Sequence, residues 1–231
     1  MEERARAARA CKKKSGVRAP RSSSVRPAPA FRHDQSPMAR YLAAYHEAGH
    51  AVVGVLLRWA IRDVSIVPDE QTIGRIRHPR RSELDYWLSD EVKSLKASAP
   101  RLKKRPLLSS SELTAAQMRM RHRRGRIDIA VRLAGLKAEA RFTGTSNVPG
   151  GGIDRLEVLE LAVKLATELS VTADRIIVRE STRASRLLDE NWPCVEALAR
   201  ALLTHDRLTG RQVRAIVKRA SRRQAATTRC A

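Results

Sequence analysis

From residue 126 to residue 223, apolar side chains recur at helical spacing, and this most limits the folds open to the chain. Ile127, Val131, Ala134, Ala138 and Phe142 form one stripe, ended by Gly144 and the run Pro149-Gly150-Gly151-Gly152. A second stripe, Leu156, Leu159, Val163, Ala166 and Leu169, predicts a helix opening at Ile153 or Asp154 with those residues inward. Further helices are predicted over 172–189, opened by the capping residue Thr172, over 191–204, and over 209–223. Pro193 falls in the first turn of its helix, where proline is tolerated.

Upstream, residues 38–58 read as one helix. Arg62–Val67 is β-branched and apolar, ends at Pro68, and predicts a short strand; residues 73–78 predict a second strand pairing with it. A short helix is expected at Glu83–Lys96, then a basic loop at Arg101–Arg105. Another helix is expected from Ser111 to about Arg124, stopped by Gly125. The fold class is therefore mainly α, with one small β element near residues 62–78. Residues 38–223 read as a single domain carrying a basic insertion at about 79–125. Residues 1–37, with four prolines and a serine run, read as a disordered basic tail, and 224–231 as a C-terminal tail.

The chemistry is concentrated in His46-Glu47-Ala48-Gly49-His50, an H-E-x-x-H pentapeptide inside the first predicted helix. Residues four apart lie on one face of a helix, so both imidazoles can address one metal ion. Glu47 is placed to take a proton from a water whose pKa the metal lowers from about 15.7 towards about 7. The surrounding segment, Tyr45–Leu57, has no proline and is rich in small residues. The bland alternative is a buried helix whose histidines hydrogen-bond within the core. That reading suits either histidine alone better than the pair with Glu47 between them.

The formal charge of +22 raises the question of a polyanionic partner. Residues 1–40 hold 11 Lys/Arg against 3 Asp/Glu, and residues 74–126 hold 15 against 5, so the excess sits in two blocks outside a nearly balanced body. Such blocks are solvated tails and insertions, or they bind nucleic acid or another polyanion. An aromatic content of 3% argues against a base-stacking platform. Cys11, Cys194 and Cys230 are odd in number and far apart, which suggests neither a disulfide framework nor a zinc ribbon. A cytoplasmic setting is expected. The Arg- and Ser-rich start also resembles an organelle transit peptide, and Met38 is an alternative initiation point.

A catalytic zinc takes three protein ligands. Leu56 stands where a third histidine six residues after His50 would suggest a metzincin. Glu70 follows a strand and Pro68, and His78 and His122 lie in basic surroundings. Asp154 follows three glycines and opens a helix, although a carboxylate there also has a simpler use against the helix dipole.

Three segments, in order, resemble the peptidase domain of the FtsH family of ATP-dependent zinc metalloproteases. Tyr45–Leu57 is similar to the family's motif helix, and Asp63–Pro68 (DVSIVP) to the strand that follows. Ile129–Gly144, IAVRLAGLKAEARFTG, is similar to its A-x-x-L-A-G-x-x-A-E helix. A glycine-rich loop and an Asp-opened helix come next, GGGIDRLEVLELA, and ENWPCVEALARALLTHDRLTGRQVRAIV is similar to the closing helices. The resemblance spans residues 40–76 and 127–219. Ile153 replaces the family's usual Asn, segment 79–125 has no counterpart, and no G-x-x-x-x-G-K-[ST] loop occurs in the chain. No run approaches about 18 apolar residues. The likeness is therefore to the peptidase part, without the ATPase domain or membrane anchor.

The resemblance implies Asp154 as third ligand beside His46 and His50, one Zn2+ per chain, and Glu47 as general base of an endopeptidase. Glu139, the Glu of the A-G-x-x-A-E pattern, is expected to orient a ligand histidine or else to pair with an arginine. Val64, Ser65 and Ile66 are expected to receive an extended substrate by edge pairing, or simply to cover the motif helix. Expected partners are a protein or peptide substrate, a separate ATPase and a second copy of the chain. The rival expectation is a non-catalytic protein on a peptidase-like scaffold that binds nucleic acid or another polyanion through its basic segments.

Overall fold

The computed structural model describes residues 36–68, 74–77, 114–145 and 151–229. The helix expected at Glu83–Lys96, the basic loop at Arg101–Arg105 and the N-terminal tail through residue 35 lie outside them. The described residues are mainly helical with one small sheet. In chain order they form α1 (Pro37–Leu56), β1 (Asp63–Ser65), β2 (Arg75–Arg77), α2 (Ala115–Thr143), α3 (Gly152–Leu169), α4 (Ala173–Glu190), α5 (Trp192–His205), β3 (Arg207–Thr209) and α6 (Gly210–Arg229). No described helix is long and apolar enough to cross a membrane.

Helix α1 is the centre of the packing. Ser36 caps it by accepting from Ala39 N at 3.1 Å, and Pro37 occupies the first turn. Ala44, Ala48, Ala51, Val52 and Val53 are fully buried, so the helix is enclosed rather than half-exposed. Gly49 sets its distance from α2. A Cβ there would stand 2.5 Å from Ala138 Cβ and 2.6 Å from Ala134 O, closer than atoms can come. The two helices thus meet backbone to backbone at the level of the motif.

Helix α2 is continuous where the sequence suggested a stop. Gly125 sits inside it, so the helix expected to end near Arg124 and the one expected from residue 126 are one element. A single glycine costs a helix only about 1 kcal/mol against alanine. Here its missing side chain admits Leu165 of α3, 3.0 Å from where a Cβ would be. The residues of the supposed insertion from Ala115 onward therefore belong to this helix. Thr114 and Gln117 close its start with a capping box, and Gly144, at φ +71°, ends it.

The inward face of α3 differs from the expected one. Val158, Leu161, Ala162 and Leu165 are buried, whereas Leu156, Leu159 and Val163 are about half exposed. The cause is Glu157, which is wholly buried and ion-paired to Arg132 of α2. Drawing that carboxylate inward rotates the apolar row Leu156–Leu159–Val163 outward. Val158, Leu161 and Leu165 then pack with Ile129 of α2 and Ile176 of α4 as a second core cluster.

The sheet is antiparallel with strand order β2-β1-β3. The β1–β2 pairing follows the expected one, with Val64 opposite Ile76. Strand β3, opposite β1 at Val64–Leu208, had no sequence signal beyond three residues between two helices. It makes β1 central, which removes the free edge that Val64 and Ser65 were expected to offer; Ile66 N also donates to Asp206 O at 2.9 Å. Both sides of Val64 and Ser65 are thus occupied, which leaves no edge there for a substrate to pair with, and among the described residues no strand pairs with the outer side of β2.

Candidate metal centre

Three side chains from two helices converge where α1, α2 and α3 meet. His46 Nε2 lies 2.9 Å from His50 Nε2 and 3.0 Å from Asp154 Oδ2, and His50 Nε2 lies 3.3 Å from the same oxygen. Those edges match one face of a tetrahedral ligand shell with bonds of about 2 Å. His50 is buried; His46 and Asp154 are 13% and 15% exposed at the side chain, which leaves the triangle one side open towards solvent.

Each imidazole is aimed by its other nitrogen. His50 Nδ1 is 2.7 Å from Val131 O, a pure acceptor, so that nitrogen carries the proton. His46 Nδ1 is 3.0 Å from a Glu139 carboxylate oxygen and donates likewise. With both rings neutral, the Nε2 lone pairs would face each other and a carboxylate oxygen. Three acceptors within about 3 Å of one another repel unless something positive sits among them. A proton on His46 Nε2 satisfies one of these contacts, whereas a metal ion satisfies all three. On this chemistry His46, His50 and Asp154 fit a metal ion.

The titration of the side chains has the same origin. Burial disfavours a charge on His46, yet its hydrogen bonds to Asp154 and Glu139 outweigh that and push its pKa up to about 10. Burial likewise opposes the Asp154 charge, but the neighbouring His50, hydrogen bonds from His46 and His50, and the charge of His46 hold its pKa well below the usual range. Without a metal, a proton on His46 is thus the positive charge that Asp154 and Glu139 meet.

Glu47 stands beside the triangle without belonging to it. It is 5% exposed, and its Oε2 has no hydrogen-bond partner among the described residues. Burial raises its pKa, with His50 and His46 partly offsetting the effect. A buried carboxylate oxygen left unpaired beside a ligand cluster is disposed to accept from a water or substrate. Gly74, just before β2, passes so close that a Cβ there would meet Glu47 Oε1 at 2.8 Å.

The expected site residues His46, Glu47, His50, Asp154 and Glu139 are brought together; Val64 and Ser65 lie in the sheet's central strand. His122, weighed as a ligand, instead pairs with Glu168 at 2.8 Å. Several supporting groups had escaped the sequence reading. Arg132 holds Asp154 Oδ1 at 3.2 Å and ties it to Glu157. Gly135 leaves room for the His50 ring, which a Cβ would approach to 2.3 Å, and Gly151, at φ +75°, leaves room for Leu136 beside His46. The A-G pair at Ala134-Gly135 was the signal for the first of these; a backbone carbonyl such as Val131 O carries no residue-type signal at all. No protein-family model matches the chain.

Proposed function

We propose that the protein is a zinc-dependent endopeptidase of the FtsH peptidase type. The observation that carries this reading is the triangle of His46 Nε2, His50 Nε2 and Asp154 Oδ2, with edges of 2.9–3.3 Å, next to the unpaired Glu47 carboxylate. Two histidines and a carboxylate suit zinc, which accepts nitrogen and oxygen ligands and leaves one position open in catalytic sites. A bound zinc supplies the Lewis acidity that acidifies a water and polarises a peptide carbonyl.

The chain's own residues do the rest. His46, His50 and Asp154 hold the ion, and Glu139, Val131 O and Arg132 keep those three groups aimed. Glu47 accepts the water's proton at Oε2 and returns it to the departing amine. An extended peptide pairs along the outer edge of β2, so that Gly74 and Glu47 lie beside its scissile bond. A scaffold that had lost catalysis would have no use for a buried, unpaired Glu47, which favours the enzyme over the binding-protein alternative.

The test has two parts. Elemental mass spectrometry is expected to find about one zinc per chain in the wild type and little in Asp154→Ala. Glu47→Gln is expected to keep the zinc and lose at least about 100-fold in cleavage of an unfolded protein substrate. Wild-type cleavage by Glu47→Gln, or no zinc in the reconstituted wild type, would overturn the reading.

A further inference from the structure

The amino-terminal half of α2 and the middle of α4 enclose an open groove of about 690 Å³. Six of its lining residues are arginines: Arg119, Arg123 and Arg126 from α2, and Arg179, Arg183 and Arg186 from α4. Both sets follow the same i, i+4, i+7 spacing, which puts each on one face of its helix in steps of about 5–6 Å. Against them the lining offers one carboxylate, Glu180. It is 1% exposed, 3.3 Å from Arg183 and 3.9 Å from Arg179, and so steadies one row from below. Arg186 reaches Glu190 at 3.8 Å, on the surface. No carboxylate among the described residues pairs with Arg119, Arg123 or Arg126.

Like charges four apart on a helix repel, so two facing rows of this kind weaken the fold unless an anion lies between them. The two long undescribed segments, residues 1–35 and 78–113, are themselves richer in Lys and Arg than in Asp and Glu, so an anion from another molecule suits the rows better.

We propose that this groove binds the backbone of single-stranded nucleic acid, without regard to base sequence. Every lysine-or-arginine position in it is Arg, whose planar fork meets a phosphate with two parallel hydrogen bonds. The spacing along each row is comparable to the separation of consecutive phosphates along a strand. A slot between two helices admits one strand more readily than a duplex. Base stacking plays little part, since no Phe, Tyr or Trp lines the groove and its one ring, His122, is paired with Glu168. An acidic peptide in a groove needs apolar anchoring pockets, and Leu169 is the only large apolar side chain in the lining. The site is separate from the metal centre: Gly135 lies about 18 Å further along α2 than Arg123.

The experiment is fluorescence anisotropy on the full chain with a labelled single-stranded oligothymidylate of about 12 nucleotides, over a salt series. About four phosphates engaged give a log–log salt slope near −3. Removing three exposed arginines, as Arg119→Gln, Arg123→Gln and Arg179→Gln together, is expected to weaken binding by about 30-fold and flatten the slope by about 2. A control losing the same charge from α6 (Arg211→Gln, Lys218→Gln and Arg222→Gln) is expected to change affinity by less than about 3-fold, as is Asp154→Ala. Circular dichroism verifies that each variant is folded, and zinc content verifies it further for the two arginine and lysine variants. Wild-type binding by the groove variant, or an equal loss in the α6 control, would overturn the proposal. So would polyglutamate or anionic vesicles competing as well as the oligonucleotide at equal charge.

Discussion

The two ends of α2 are built on opposite principles. Its carboxyl-terminal half presses the small residues Ala134 and Ala138 against α1 and, from Val131 and Glu139, gives the candidate metal centre its hydrogen-bond partners. Its amino-terminal half is arginine-rich, largely exposed and shaped by charge. The small-residue end fixes ligand positions because nothing there can move without colliding. The arginine end carries long side chains, several of them at the surface, that can follow a small shift of the backbone. One helix thus carries a site that needs sub-ångström placement and a surface that does not.

The sharpest way to break this contrast is Gly135→Ala. A Cβ there would lie 2.3 Å from His50 Cε1 and 2.4 Å from Nε2, so the ring must leave its place. Zinc affinity, measured by competition with a chromophoric chelator, is expected to fall about 100-fold or more. Groove binding of the oligonucleotide is expected to persist. Wild-type zinc affinity in this variant would mean that the close packing does not position the ligand.

Glu139→Gln probes the same end more gently. The amide oxygen can still accept from His46 Nδ1, but the charge that makes His46 a stronger ligand is gone. Zinc affinity is expected to fall about 10-fold, and further in Glu139→Ala. If the Gln and Ala variants behave alike, the charge rather than the orientation of His46 is what matters; if neither changes affinity, Glu139 does not support the ligand.

These contacts also explain what could be read from the sequence. The H-E-x-x-H spacing places two imidazoles on one face by helix geometry alone, so the approach of His46 to His50 was legible without a structure. The β1–β2 pair was visible from its apolar, β-branched run ending at Pro68 and the second such run that follows. Asp154 was ambiguous until the FtsH-like order of segments was considered, since a helix-opening carboxylate has an ordinary use. What stayed hidden depended on tertiary partners. Glu157 turns inward because Arg132, on another helix, waits for it, and that rotates the face of α3. Strand β3 exists because β1 offers it an edge. Gly125 reads as a helix stop in isolation and becomes a packing notch once Leu165 arrives.

Gly125→Ala carries the smallest expected effect and closes the comparison between the two ends. The residue is mid-helix, so alanine gains roughly 0.5–1 kcal/mol of helix stability over glycine. The new methyl group would meet Leu165 Cδ1 at 3.0 Å, and Leu165 is fully buried, so a shift of a few tenths of an ångström offsets most of that gain. The terminus of a leucine yields more readily than the imidazole wedged against Gly135. Thermal unfolding is expected to move by less than about 4 °C, in either direction, with the zinc content of the wild type. If Gly125→Ala instead strips the metal as Gly135→Ala should, α2 transmits a shift along its length as a rigid rod. The metal centre and the arginine groove would then be mechanically coupled, and the contrast between the two ends would hold for their surfaces alone.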